Sequence, residues 1–108
     1  LITIYLWEKA GKPERHLSKA QGLRSVLEIL TKLEHLRVSW NYLHGDKGLA
    51  DTVIQRLRMK RPIVLDPANP TNNVCYYMRK KRGNMQIIAA AARRTLQTTL
   101  LRNVTAWP

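Results

Sequence analysis

The 108-residue chain has no phenylalanine, a single cysteine and, beyond Asp66, no acidic residue at all. Without phenylalanine, its apolar core must come from Leu, Ile, Val, Ala and the three tryptophans. Cys75, being alone, excludes an internal disulfide and suits a reducing compartment. Apolar runs stay well short of the ~18 residues of a membrane span, and no secretory signal is visible. The protein therefore reads as cytoplasmic, with the nucleus open as a second place and no membrane as partner. The Asn103-Val104-Thr105 sequon is incidental in that setting. The seven acids include no Asp-x-Asp pair, so a two-metal carboxylate site is not expected. His16, His35 and His44 lie far apart and match no zinc-ligand spacing. No glycine-rich phosphate loop, internal repeat or low-complexity linker stands out. The chain therefore supplies neither a catalytic set nor a metal or cofactor site of its own.

Cations are abundant. Lys and Arg number 19, for a formal charge of +12. Residues 1–66 carry 12 bases and all seven acids, and residues 67–108 carry seven bases and none. Such a surplus favours a polyanionic partner. The length fits one domain or part of one. Because the chain opens at Leu1 inside an apolar run, it reads as a piece of a longer protein.

Along the chain, 1–8 has the composition of a strand but no clean alternation, and a buried helix segment fits as well. Ala10-Gly11-Lys12-Pro13 ends it, and a basic loop follows with Lys12, Arg15, His16 and Lys19. Ser18 and Gln21 match a capping box. The helix after them places Leu23, Val26, Leu27, Leu30 and Leu33 on one stripe, with Arg24, Ser25, Glu28, Thr31 and Lys32 facing away. Glu28 and Lys32 suit an ion pair four residues apart. The alternation in 36–43 predicts a short extended stretch with Val38, Trp40 and Tyr42 on one side. A third helix, about 47–60, turns Leu49, Val53, Ile54 and Leu57 inward. Its last turn is crowded with Arg56, Arg58, Lys60 and Arg61, where the helix dipole favours cations. A fourth, from Met85 to about Leu101 with Asn84 as cap, buries Met85, Ile88, Ala92 and Leu96. Ala89 to Ala92 allow close approach, and Trp107 is expected to fold back onto the body.

Between the third and fourth helices lies Arg61-Pro62-Ile63-Val64-Leu65-Asp66-Pro67-Ala68-Asn69-Pro70-Thr71-Asn72-Asn73-Val74. Ile63 to Leu65 read as a buried strand, and Asp66-Pro67 and Asn69-Pro70 as two turns. The Asp66 and Asn69 side chains can accept hydrogen bonds from the backbone just ahead, and Thr71 to Asn73 continue a polar loop. This stretch resembles R-P-V-I-L-D-P-A-D-P-T-G-N of the 2'-5'-oligoadenylate synthetases. Thr3-Ile4-Tyr5-Leu6-Trp7-Glu8 is similar to that family's T-V-Y-A-W-E, and Ala20 to Glu28 to its A-Q-G-F-R-T-V-L-E. The three blocks occur in the family's order between Leu1 and Val74. One departure follows them: where the family often has Gly-Gly-Gly-Asp, this chain has Val74-Cys75-Tyr76-Tyr77-Met78.

The resemblance implies a mainly α fold, the helical C-terminal lobe of a nucleotidyltransferase. About four helices and one short extended segment or strand are expected, with 1–108 as part of that domain and the catalytic domain upstream. It implies a helix at 1–8. It also implies a parent that joins ATP through 2'-5' bonds when double-stranded RNA binds, with ATP and Mg on upstream carboxylates. On the same footing, Lys12, Arg15, His16 and Lys19 are candidate duplex-RNA contacts, set against a merely solvated basic loop. A second cluster is read from the residues themselves: Arg79, Lys80, Lys81 and Arg82 beside Tyr76 and Tyr77. Such a cluster suits single strands or a phosphate backbone, or else is a localisation-like charge run or a charged helix entry. A catalytically dead relative acting as an RNA-binding or protein-interaction scaffold is the alternative. No helix-turn-helix pair supports an unrelated DNA binder.

Overall fold

A computed structural model describes residues 1–12, 19–40 and 48–107, with the side chains of all of these except 79, 80 and 82. The elements are α1 (Ile2–Lys9), α2 (Lys19–Leu30), β1 (Arg37–Val38), α3 (Leu49–Arg56), β2 (Ile63–Asp66), β3 (Asn69–Asn73) and α4 (Arg82–Leu96). Short 3-10 turns cover Leu33–His35 and Tyr76–Lys81. The fold is mainly helical with a small sheet. Two compact units divide it: Leu1–Leu33 with Gly83–Pro108, and Glu34–Arg82.

In the first unit the ambiguous N-terminal segment is helical. Gly11 ends α1 at φ 84°, its N–H donating to the Glu8 carbonyl and that of Lys12 to the Trp7 carbonyl. These are the two bonds of a Schellman cap, which needs a left-handed residue where Gly11 stands. The face of α2 differs from the expected leucine stripe, although Leu33, just past the helix, is buried as expected. Gly22 and Ser25 are buried, Leu23 is 48% exposed, and Val26, Leu27 and Leu30 are half-buried. The C-terminal tail crosses the small-residue edge instead. The Trp107 ring lies on Gly22, the Trp107 main-chain N–H donates to Ser25 Oγ at 2.8 Å, and the Arg24 guanidinium donates to the Leu101 carbonyl at 2.7 Å. Trp107 does fold back, and Ser25 faces in rather than away. Glu28 pairs with Arg24 at 3.0 Å, not with Lys32. The Ser18 cap lies outside the described residues.

Helix α4 starts at Arg82, so Asn84 falls inside its first turn. It buries Met85, Ala89 and Ala92, with Ile88 and Leu96 half-buried. It stops at Leu96, short of Leu101. The Thr95 and Thr98 hydroxyls donate to the carbonyls of Ala91 and Thr95 there, and the chain continues in single turns. β-branched residues bonding back to the preceding turn weaken a helix.

The second unit is built on the sheet β1-β2-β3. β2 is its middle strand, parallel to β1 and antiparallel to β3. Ile63, Val64 and Leu65 are each 2% exposed, as a strand covered on both faces requires. Ala50 and Ile54 of α3 close a core with Ile63 and Leu65. Val38 and Trp40 are buried as expected; Tyr42 lies outside the described residues. The two predicted turns are in fact one tight turn at Pro67-Ala68 and a strand. Asp66 Oδ1 accepts from the Ala68 N–H at 2.9 Å, and Asn69 Oδ1 from the Thr71 N–H at 3.2 Å. Thr71 to Asn73, expected as loop, form most of β3. Asn73 explains why: its Oδ1 accepts from the N–H groups of Val64 and Cys75, both at 3.0 Å, and its amide donates to the Pro62 carbonyl at 3.1 Å.

Helix α3 ends at Arg56, before the expected Lys60, and leaves Leu57 55% exposed. Arg58 follows at φ 50°, its N–H donating to the Gln55 carbonyl and that of Met59 to the Ile54 carbonyl. This second Schellman cap puts arginine where glycine is usual, at a cost of about 1 kcal/mol. Asp51, in the first turn of α3, pairs with Arg37 of β1. Being surface-exposed, the pair contributes under about 1 kcal/mol. Cys75 is buried, and burial pushes its thiol pKa up, so it behaves as a small apolar core side chain.

Candidate nucleic-acid interface

Two basic surfaces emerge, one in each unit. In the first unit, the cap of α1 sets Lys12 at the mouth of the basic loop. Its Nζ lies 5.9 Å from the Trp7 ring, a cation–π contact on a half-open indole. Lys9 stands likewise 5.9 Å from Tyr5. Lys19 is exposed as the first residue of α2, where no acid stands and the helix dipole disfavours a cation. Lys19 thus sits where helix stability gives no reason for it, whereas Lys12, past the C-terminus of α1, is favoured by the dipole. Arg15 and His16 lie outside the described residues.

In the second unit, an open groove of about 530 Å³ runs between 57–60 on one wall and 71–74 on the other, with Tyr76 and Tyr77 at its end. The two tyrosine rings meet edge to face, centroids 5.1 Å apart and planes at 83°. They stay 58% and 73% exposed. The walls carry Arg58 and Lys60 and no acid. The sequence reading grouped the tyrosines with Arg79 to Arg82, their neighbours along the chain. Of that run, Lys81 is exposed, and the side chains of Arg79, Lys80 and Arg82 lie outside what is described. The cations beside the tyrosines in the groove are Arg58 and Lys60, which sequence reasoning gave to the helix dipole. Only the pairing of strands β2 and β3 brings them near, and no local signal in the sequence encodes that.

Among the described residues no three His, Cys, Asp or Glu side chains gather as a metal site, and no helix is long and apolar enough to cross a membrane.

The family profile described as "2'-5'-oligoadenylate synthetase 1, domain 2, C-terminus" matches residues 1–108. The chain is 41% identical over 76 residues to mouse 2'-5'-oligoadenylate synthase 3, covering 68% of this chain and 7% of that protein. Rat 2'-5'-oligoadenylate synthase 1A is 40% identical over 78 residues, 68% of this chain and 21% of its own length. Rat inactive 2'-5'-oligoadenylate synthase 1B is 40% identical over 76 residues, again 68% of this chain and 20% of the relative. These matches thus span no more than about a fifth of any of these relatives. No solved structure gives a significant match. The profile match along the whole chain, in the segment where the three sequence blocks and their structural roles lie, shows that the chain belongs to the 2'-5'-oligoadenylate synthetase family, in its C-terminal domain.

Proposed function

We propose that this chain is part of the C-terminal lobe of a 2'-5'-oligoadenylate synthetase-type nucleotidyltransferase activated by double-stranded RNA, an innate antiviral sensor. The family match over residues 1–108 carries this reading. An upstream nucleotidyltransferase domain would supply the carboxylates for ATP and Mg, in the cytoplasm and, on the charge run alone, the nucleus as well. This segment would complete the lobe's core and offer cations to the duplex through Lys12 and Lys19, with Arg15 and His16 of the same loop. Duplex RNA is read through its backbone and 2'-hydroxyls across a shallow minor groove, a contact that exposed lysines suit. The test is a salt titration of the full chain on a two-turn RNA duplex and the matched DNA duplex. Preference for RNA is expected, and the double variant Lys12→Ala/Lys19→Ala should flatten the salt slope by about 2, since each lost phosphate contact removes about 0.9. Equal binding to both duplexes with an unchanged slope sinks the RNA role for these lysines.

A second reading has its own support, since a relative named as inactive matches as well as the synthases do. In it the protein is a catalytically dead scaffold that still binds RNA or protein. Incubation of the longer protein, upstream domain included, with duplex RNA, Mg and labelled ATP separates the two. Oligoadenylate formation supports the enzyme, and RNA binding without any product supports the scaffold.

A further inference from the structure

We infer that the Tyr76–Tyr77 groove of the second unit is a binding site for single-stranded nucleic acid, with an unpaired base stacked on Tyr77 and its phosphates on Arg58 and Lys60. It stands on this groove alone, independent of duplex binding at Lys12 and Lys19. Three observations converge on it. The first is the edge-to-face tyrosine pair, which holds the Tyr77 ring with 73% of the residue open to solvent. A flat, exposed aromatic face is the platform on which single-strand binders stack bases, whatever the base.

The second is charge. The groove walls carry Arg58 and Lys60, both exposed, and no carboxylate. An anionic chain is the complement. An acidic peptide would satisfy the cations but leave the ring face without a flat partner. Asn72, exposed on the opposite wall, offers an amide donor and acceptor to a base edge. The volume of about 530 Å³ is within the range of small-ligand sites and suits a base with its sugar and phosphate.

The third is the backbone of Arg58. It occupies the left-handed C′ position that glycine fills at the end of α1, and it does so at φ 50°. That conformation belongs to the Schellman cap of α3, whose two bonds fix where the chain leaves the helix and so place the Arg58 side chain on the groove wall.

The experiment measures binding of fluorescein-labelled U12 to the full chain by anisotropy, with an unlabelled RNA duplex of equal phosphate number and a Glu-rich peptide as competitors. The expected result is displacement by unlabelled U12 at lower concentration than by either competitor. Tyr77→Leu should weaken U12 binding about tenfold, and Tyr77→Phe should preserve it, because stacking needs the ring and not the hydroxyl. Lys60→Ala should lower the single-strand salt slope by about 0.7. Arg58→Gly relaxes the backbone, so it should melt no lower than the parent while binding U12 more weakly. Unaltered U12 affinity in both Tyr77→Leu and Arg58→Gly overturns the site, since neither change threatens folding. Displacement by the Glu-rich peptide more readily than by U12 also overturns it, in favour of an acidic protein partner.

Discussion

Replacing Asn73 by alanine is expected to cost about 3 kcal/mol or more and to move the urea midpoint of the second unit sharply down. The Asn73 side chain closes three backbone bonds at once, accepting from Val64 and Cys75 and donating to Pro62. All three partners are buried, so truncation orphans two N–H groups and one carbonyl in a place water reaches poorly. Each buried unsatisfied polar group costs about 1–3 kcal/mol. A small domain has only about 5–15 kcal/mol in total. Asn72→Ala supplies the control. Asn72 is exposed, and its loss should stay within about 0.5 kcal/mol. Asn73→Asp separates the bonds: its carboxylate still accepts from both N–H groups but no longer donates to Pro62. That variant should fall between the other two at neutral pH. Chemical denaturation with an unchanged m-value is the measurement. Equal midpoints for Asn72→Ala and Asn73→Ala would sink the account.

That residue also marks how far the sequence could be read. The Asp66 turn and the Asn69 side-chain bond were legible because both hydrogen bonds reach two residues ahead, within the sight of local pattern, though Asn69 begins a strand and not a second turn. The bonds of Asn73 reach back nine and eleven residues. In the sequence it was one more polar residue in a polar loop, though it holds the final Asn position of the P-T-G-N resemblance. The helices were legible in kind because periodicity and breakers are local. The inward face of α2 was not, since Gly22 and Ser25 carry no hydrophobic signal and a tail more than 70 residues away decides their burial. The left-handed Arg58 was illegible for a related reason: sequence reading looks for glycine at such a cap, and the chain has none there. Of the candidate interface, the lysines and tyrosines were visible as residue types. The regrouping of Tyr76 and Tyr77 with Arg58 and Lys60 needed the β2–β3 hairpin.

The second large effect lies at Gly22, and its sign depends on Trp107. A Cβ built on Gly22 would stand 2.5 Å and 2.6 Å from Cη2 and Cζ2 of the Trp107 indole, a separation carbon atoms do not tolerate. The tail cannot lift the ring away freely, because the Trp107 main-chain N–H donates to Ser25 Oγ at 2.8 Å, and Ser25 in turn donates to the Gln21 carbonyl at 2.9 Å. Gly22→Ala is therefore expected to lower stability by about 1–3 kcal/mol, the range of core overpacking, and to loosen the C-terminal tail. The same substitution in a bare helix would do the opposite, since alanine is favoured over glycine by about 0.5–1 kcal/mol. Trp107→Ala alone should destabilise by about 3 kcal/mol through lost burial. In that background the clash is gone, and Gly22→Ala should stabilise. The double-mutant cycle thus predicts a change of sign, not only a departure from additivity. Thermal or urea unfolding of the four proteins measures it. If Gly22→Ala is destabilising by the same amount with and without Trp107, the indole is not what keeps this position glycine, and the A-Q-G of the family resemblance must be explained by something other than the docking of the tail.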